Sequence, residues 1–255
     1  MSTSTRHESV PIEPAPTNDQ EIEEILENIP SEIEISVDLP SRNKFYNLSD
    51  PSSPVTVRPM TFEDEKVLAS NTSRDKGINL LLERCVTNVS ITQLLLMDKL
   101  YLLLKIREVS FGSSYTVSHI CPSCQKENEL TFEIADFKVT YIPEDLEDPR
   151  EIELPTLQKT ALIRLPRVAD EEFIGSVDLL FDNLWRFVKE IAGNKKRAVI
   201  SKVIQRLPSK DFHIISNAIF DSKYGIDLKG KYACDSCQTV NIAEIPITEN
   251  FFSPS

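Results

Sequence analysis

The chain has 255 residues, enough for one large domain or two small ones with a real core. Its 40% hydrophobic and 27% charged residues are ordinary for a soluble globular protein and show no low-complexity, collagen-like or repeat signature. The formal net charge of −12 argues against a protein that grips nucleic acid through a broadly basic face. The N-terminus, MSTSTRHESVPIEPAP, is polar and proline-rich and lacks the apolar core of a signal peptide. The most apolar run, Leu94 to Ile106, is interrupted by Asp98, Lys99 and Lys105 and is too short to span a bilayer. These features predict a cytosolic, reducing environment, where paired cysteines serve as metal ligands or redox groups more readily than as disulfides.

Residues 1–35 read as an acidic disordered tail: Met1 to Pro30 holds seven acidic residues and one arginine. Within it, Ile22, Ile25, Leu26 and Ile29 fall at helical spacing, the mark of a weak helix on the body or of a segment that folds on a partner. Residues 36–112 comprise an extended, proline-punctuated segment followed by a helical region. Thr61, with Asp64 three residues later, is a candidate helix start. Ser90-Ile91-Thr92-Gln93 reads as a stronger capping box, with Val89 and Leu94 as its hydrophobic staple. The helix behind it places Leu96, Leu100, Leu103 and Leu104 on one face and should be a core helix.

Residues 113–169 read as strand, knuckle, strand around Cys121-Pro122-Ser123-Cys124, followed by further strands at EIELP and TALIRLP. Residues 170–225 read as an inserted helical block. One helix would carry Leu179, Leu180, Leu184, Trp185, Val188 and Ile191 and stop at Gly193. Two more would be split at Pro208, with Ser209 capping the last and Gly225 ending it. Residues 226–255 return to strand, knuckle, strand around Cys234-Asp235-Ser236-Cys237, ending in a C-terminal tail. The fold class expected is therefore α+β: split zinc-ribbon-like β hairpins, an N-terminal helical region and an inserted helical block.

The two Cys-x-x-Cys pairs carry the chemistry. Cys121, Cys124, Cys234 and Cys237 supply four thiolates, the ligand set of a closed tetrahedral structural Zn2+ site holding one ion. Two intervening residues allow a tight knuckle that turns both sulfurs inward, and nearby backbone N–H groups can donate to them. Cys124 and Cys234 lie 110 positions apart, so a shared ion would close a long loop and stabilise strongly. Iron in a rubredoxin-like site is an alternative occupant. A thioredoxin-like role is disfavoured, because neither pair opens a helix whose N-terminus would lower a thiol pKa.

Of the other candidate residues, Cys85 reads as a buried small thiol, and His119 as a bystander two residues before Cys121. His213 lies on a helix without a nucleophile or acid beside it. Lys195, Lys196, Arg197, Lys202, Arg206 and Lys210 form a basic cluster, read first as a solvated face and next as a docking patch for an acidic partner. There is no G-x-S-x-G, Walker loop, G-x-G-x-x-G or H-E-x-x-H, so no enzymatic activity is expected.

One resemblance gathers these pieces. LPSRNKFY at Leu39–Tyr46, VRPMTFEDEK at Val57–Lys66, then LLERCV, MDKLYLLLKIREVSFG, CPSC, DPREIELP, NLWRFVKEI, RLPSKD, YGID, CDSC and ENFF occur in order. Together they resemble the baseplate hub proteins of T-even-type contractile-tailed bacteriophages over residues 36–253. Asn43 stands where a glycine is expected. The resemblance implies a structural or assembly component of the tail baseplate hub. Its partners would be other hub and tail proteins, with no small-molecule substrate and no membrane. It would reside in the virion and, during assembly, in the host cytoplasm. The alternatives are a zinc-ribbon nucleic-acid-binding accessory factor and an assembly chaperone absent from the mature virion.

Overall fold

A computed structural model describes residues 34–70, 73–220, 223–247 and 249–253. The expected tail up to residue 33, including the stretch from Glu21 to Ile29, lies outside the described residues. The described chain is a mixed α/β fold of small antiparallel sheets and helices, in line with the α+β expectation.

Strands β1 (Ile35–Ser36) and β2 (Thr56–Val57) pair antiparallel. Between them the chain turns through two left-handed residues, Arg42 (φ 55°) and Asn43 (φ 59°). Asparagine tolerates that conformation better than most side chains, which reconciles Asn43 with the glycine expected there. Helix α1 (Phe62–Ser70) starts where Thr61 and Asp64 suggest, but by the reverse half of a capping box. The Thr61 N–H and hydroxyl both donate to Asp64 Oδ2, at 2.8 and 3.0 Å. Helix α2 (Arg74–Cys85) then runs directly into β3 (Val86–Thr87), which completes the sheet in the order β1-β2-β3.

The capping box at Ser90 does not form as expected. Ile91–Gln93 is a single 3-10 turn, and Ser90 Oγ faces Thr92 Oγ1 instead of a backbone N–H. Leu94 and Leu95 are held extended by the segment at 166–168: the Val168 N–H donates to the Leu94 carbonyl at 2.9 Å, and the Leu96 N–H to the Pro166 carbonyl at 3.3 Å. Helix α3 therefore begins at Leu96 and runs to Phe111. It is buried almost all round: Tyr101, Leu102, Leu103, Leu104 and Ile106 are in the core, whereas Leu96 and Leu100 only pack against it. A helix buried on nearly every side is the centrepiece of a core, and this one buries the charged Asp98, Lys99 and Arg107 along with its apolar residues.

After α3, β4 (Ser114–Ile120) and β5 (Glu127–Glu133) form a regular hairpin whose loop is the first knuckle. Strand β6 (Val139–Thr140) follows. The chain then builds a separate core. Strands β7 (Arg150–Leu154) and β8 (Lys159–Ile163) pair antiparallel, and helix α4 (Val177–Asn183) follows. The expectation of one helix from Leu179 to Ile191 is corrected here. Leu184–Phe187 is a 3-10 turn and Val188–Ile191 is a strand, β9, paired with β8. Helices α5 (Arg197–Ile204) and α6 (Ser209–Phe220) are split at Pro208 as expected, and cover the sheet with Ile200, Ile204, Ile215 and Ile219. Asp211, in the first turn of α6, accepts the N–H groups of Thr156 (3.0 Å) and Leu157 (2.7 Å) and so ties the β7–β8 turn to the helix.

Gly225 is not a helix terminus but opens strand β10 (Gly225–Ile226), which pairs with β6. The chain thus leaves and re-enters the first core at adjacent positions. Gly225 has φ +98°, and a Cβ there would sit 2.9 Å from Met97 Cβ of α3, so only glycine fits this crossing. Strands β11 (Lys229–Ala233) and β12 (Val240–Glu244) form the second knuckle hairpin. Phe251 and Phe252 then return to the first core, with Phe251 edge-on to Tyr115.

Candidate metal centre

The two knuckles are the same piece of backbone made twice. In the first, the Cys121 N–H donates to the Lys126 carbonyl (2.8 Å) and the Gln125 N–H to the Cys121 carbonyl (2.9 Å). In the second, the Cys234 N–H donates to the Thr239 carbonyl (3.0 Å) and the Gln238 N–H to the Cys234 carbonyl (2.8 Å). The residue after each pair, Gln125 or Gln238, is left-handed, at φ 60° and 58°. Each knuckle leads from strand to strand and neither opens a helix, so the geometry that activates a redox thiol is not built here.

The fold brings all four expected cysteines together. Their sulfurs lie within 4.8 Å of one another, with Cys121 and Cys234 buried and Cys124 and Cys237 nearer solvent. Cys121 Sγ is 3.8 Å from Cys237 Sγ, Cys124 Sγ is 3.6 Å from Cys234 Sγ, and no disulfide joins any of them. A tetrahedral ion bonded to sulfur at about 2.3 Å spaces its ligands about 3.8 Å apart, so the cluster can hold a metal ion.

The electrostatics favour a thiolate at the two buried sulfurs, Cys234 and Cys121; at Cys124 the Lys126 N–H favours ionisation, but burial and the neighbouring Cys234 and Cys237 sulfurs outweigh it and push the thiol up to about 12. N–H donors from Cys237 and then Ser236 lower the Cys234 thiol to about 6, against the opposing effect of burial. Burial also opposes ionisation of Cys121, yet the N–H groups of Cys124 and Ser123 draw it below the ordinary thiol value. These are the outer-shell donors expected around metal-bound sulfur.

Two asparagines that the sequence reading passed over complete the site. Asn128 is buried; its Nδ2 donates to the Lys126 carbonyl (3.0 Å), and its Oδ1 accepts the Asp235 N–H of the other knuckle (3.0 Å). Asn241 does the equivalent: Nδ2 donates to the Thr239 carbonyl (3.0 Å) and reaches Cys121 Sγ at 3.5 Å. The signal was present as a short internal repeat, CPSCQKEN at 121–128 and CDSCQTVN at 234–241, which corrects the expectation of no repeat. The same offset of 113 positions relates His119 to Tyr232, and these two meet, Nδ1 to hydroxyl at 2.9 Å. The hairpins therefore pack face to face about an approximate two-fold relation, through Cys121, Tyr232, Cys234 and Ala243. At Gly230 the approach is so close that a Cβ would fall 2.1 Å from the Phe132 ring.

The remaining candidates stay outside the cluster. Cys85 is fully buried; burial and the neighbouring Asp64 carboxylate push its thiol up to about 12. His119 is engaged with Tyr232, and His213 is exposed on α6. All six residues of the basic cluster are exposed, and of these only Lys195 forms an ion pair among the described residues, with Glu190 at 3.4 Å. No helix among the described residues is long and apolar enough to cross a membrane.

The paired knuckles thus bring four cysteine sulfurs into one cluster that can hold a metal ion. The sequence model of the T4 bacteriophage base plate protein family matches residues 31–253. The chain belongs to that family and is a structural protein of the phage tail baseplate, where its partners are other baseplate proteins. Searches of curated proteins and of solved structures found no match.

Proposed function

We propose that the protein is a structural or assembly component of the central hub of the tail baseplate, a non-catalytic scaffold whose two hairpins are stapled by one Zn2+ ion. Cys121, Cys124, Cys234 and Cys237 would hold the ion, which supplies positive charge to the thiolates and a cross-link between distant parts of the chain. The carrying observation is that the family model matches residues 31–253, while the one group of candidate metal-ligating side chains among the described residues is four cysteines with sulfurs within 4.8 Å of one another, enough to fill a tetrahedral site. A site closed in this way builds; it does not turn over substrate.

The proposal divides the chain into an acidic tail (1–35), an extended segment plus helical region (36–112), the first knuckle hairpin with further strands (113–169), a helical block (170–225) and the second knuckle hairpin with the C-terminal segment (226–255). The hairpins then form a split zinc ribbon, within which the helical block is an insertion. The protein would act in the virion after assembling in the host cytoplasm.

Quantitative mass spectrometry of gradient-purified particles beside infected-cell lysate tests the hub assignment. A fixed ratio to other tail proteins in particles is the expected result. Abundance in lysate with absence from particles would make the protein an assembly chaperone. Elemental analysis of the purified chain tests the ion: one zinc per chain is expected, and iron or no metal would overturn it.

A further inference from the structure

The repeat that builds the two knuckles makes the two hairpins alike in backbone, yet their outward faces have opposite chemistry. Position by position, Glu127 of the first hairpin corresponds to Val240 of the second, Glu129 to Ile242, Ser118 to Lys231 and Thr116 to Lys229. All eight side chains point away from the packed interface between the hairpins, where Cys121, Cys234, Tyr232 and Ala243 lie. The second hairpin leaves Val240 69% and Ile242 60% exposed, side by side on one strand and flanked by Lys229 and Lys231, with Glu244 at the far edge. The first hairpin presents Glu127 and Glu129, with Ile120 60% exposed at its end. None of these lysines or of Glu127 and Glu129 forms an ion pair among the described residues.

Val240 and Ile242 together form a small contiguous apolar patch rimmed by lysines, the kind of surface a partner can cover. The partner that matches them is on the same molecule but faces the other way. We infer that the outer face of the second hairpin receives the outer face of the first hairpin of another copy of this chain. Both faces are two-stranded antiparallel surfaces of one construction, so they match in strand spacing. Val240 and Ile242 meet the aliphatic side of the acidic face and Ile120, and Lys229 and Lys231 meet Glu127 and Glu129. The apolar contact supplies affinity, and the charges set register and exclude like-face pairing. Because each copy offers two different faces, the contact is head-to-tail and propagates from copy to copy into a ring or a filament. The inference requires the two hairpins to be packed together but not any particular ion between them.

Sedimentation velocity of the full-length chain over a range of concentrations tests it. Wild-type protein should associate beyond a dimer. V240E/I242E, which blocks one face, and E127K/E129K, which blocks the other, should each be monomeric. Their equimolar mixture should form a heterodimer that grows no further, because only one intact pair of faces remains. K229E/K231E serves as a second block of the basic face, with circular dichroism and metal content confirming that each variant is folded. Monomeric wild-type protein at every concentration would overturn the inference. So would association that survives both blocks, or folded variants that fail to pair on mixing.

Discussion

The core around α3 and the paired knuckle hairpins sit in one chain but are held by different forces. The first buries Leu39, Leu81, Leu82, Leu102, Leu104 and Ile106 completely, drawing on three helices and a sheet. The second has as its own buried set Cys121, Tyr232, Cys234 and Ala243, two of which are knuckle thiols. Burying a large aliphatic side chain contributes roughly 1.5–3 kcal/mol, so the first region accumulates stability through numbers. The hairpin pair has too few such side chains to offset the ordering of four strands, and short hairpins are marginal alone. The contrast teaches where the proposed ion would matter: a cross-link through the four cysteines would do in one region what apolar burial does in the other.

The sharpest way to break this comparison is to remove the clasp. Structural zinc in small domains contributes about 10 kcal/mol or more of apparent folding free energy. Chelation, or Cys121→Ser, should therefore have the largest effect of any single perturbation. The effect should be regional: amides of β4, β5, β11 and β12 should exchange early with solvent deuterium while those of α3 stay protected. Uniform loss of protection, or none, would show that the two regions are not held separately.

The next largest effect lies in the first core. Asp64 has no solvent exposure and accepts from Arg58 Nη1 at 2.7 Å and from Arg84 Nε. Burial opposes its ionisation, but the two guanidinium groups outweigh that and hold its pKa far below the carboxylate range. Asp64→Ala would take the buried carboxylate away from both Arg58 and Arg84 and should cost about 3–5 kcal/mol in denaturant unfolding, with the metal content unchanged. A loss of metal in this variant would mean the two regions fold as one unit. A smaller effect belongs to the hairpins: Asn128→Ala removes the hydrogen bond from the Asp235 N–H that straps one knuckle to the other, and the bond to the Lys126 carbonyl that holds Asn128 in place. It should cost about 1–3 kcal/mol and weaken metal retention without abolishing it, as competition with a chelator would measure.

The same comparison explains what could be read from the sequence. Both knuckles, the core helix and the break at Pro208 were legible because their causes are local: cysteine spacing, apolar density and a missing N–H. The strand at Val188–Ile191 was not. Leu184, Trp185, Val188 and Ile191 satisfy helical spacing, yet the segment is extended because Ile163 and Ala161 of β8 offer it a ladder. The start of α3 was missed for the same reason: residues 166–168 hold Leu94 and Leu95 extended, and nothing near Ser90 announces them. The Asn128–Asn241 pair was readable in principle, but a repeat of eight residues at an offset of 113 looks like chance until the two copies are seen to touch.

The smallest effect sharpens the comparison from inside the first core, where a second buried carboxylate behaves opposite to Asp64. Asp98 of α3 is also without solvent exposure, but no cation pairs with it in an ion pair among the described residues. It accepts the Ser41 N–H at 3.0 Å and the Tyr46 hydroxyl, which in turn accepts the Leu95 N–H at 2.8 Å. Burial raises its pKa despite these bonds, and burial together with the Asp98 charge raises that of Tyr46. The signs then differ. Asp64, with its folded pKa below the unfolded value, contributes stability present above about pH 4 and lost as pH falls through the folded pKa. Asp98, with its folded pKa raised, contributes stability that is full below about pH 4 and is lost as pH rises through its folded pKa. Asp98→Asn keeps an acceptor for the Ser41 N–H and carries no charge to desolvate. It should change stability at neutral pH by about 1 kcal/mol or less and remove the decline above pH 4, whereas Asp64→Asn should remove the decline on the acid side. Urea midpoints across pH for both variants read the two slopes separately. An Asp98→Asn variant that keeps the wild-type slope would place the buried charge elsewhere in the core.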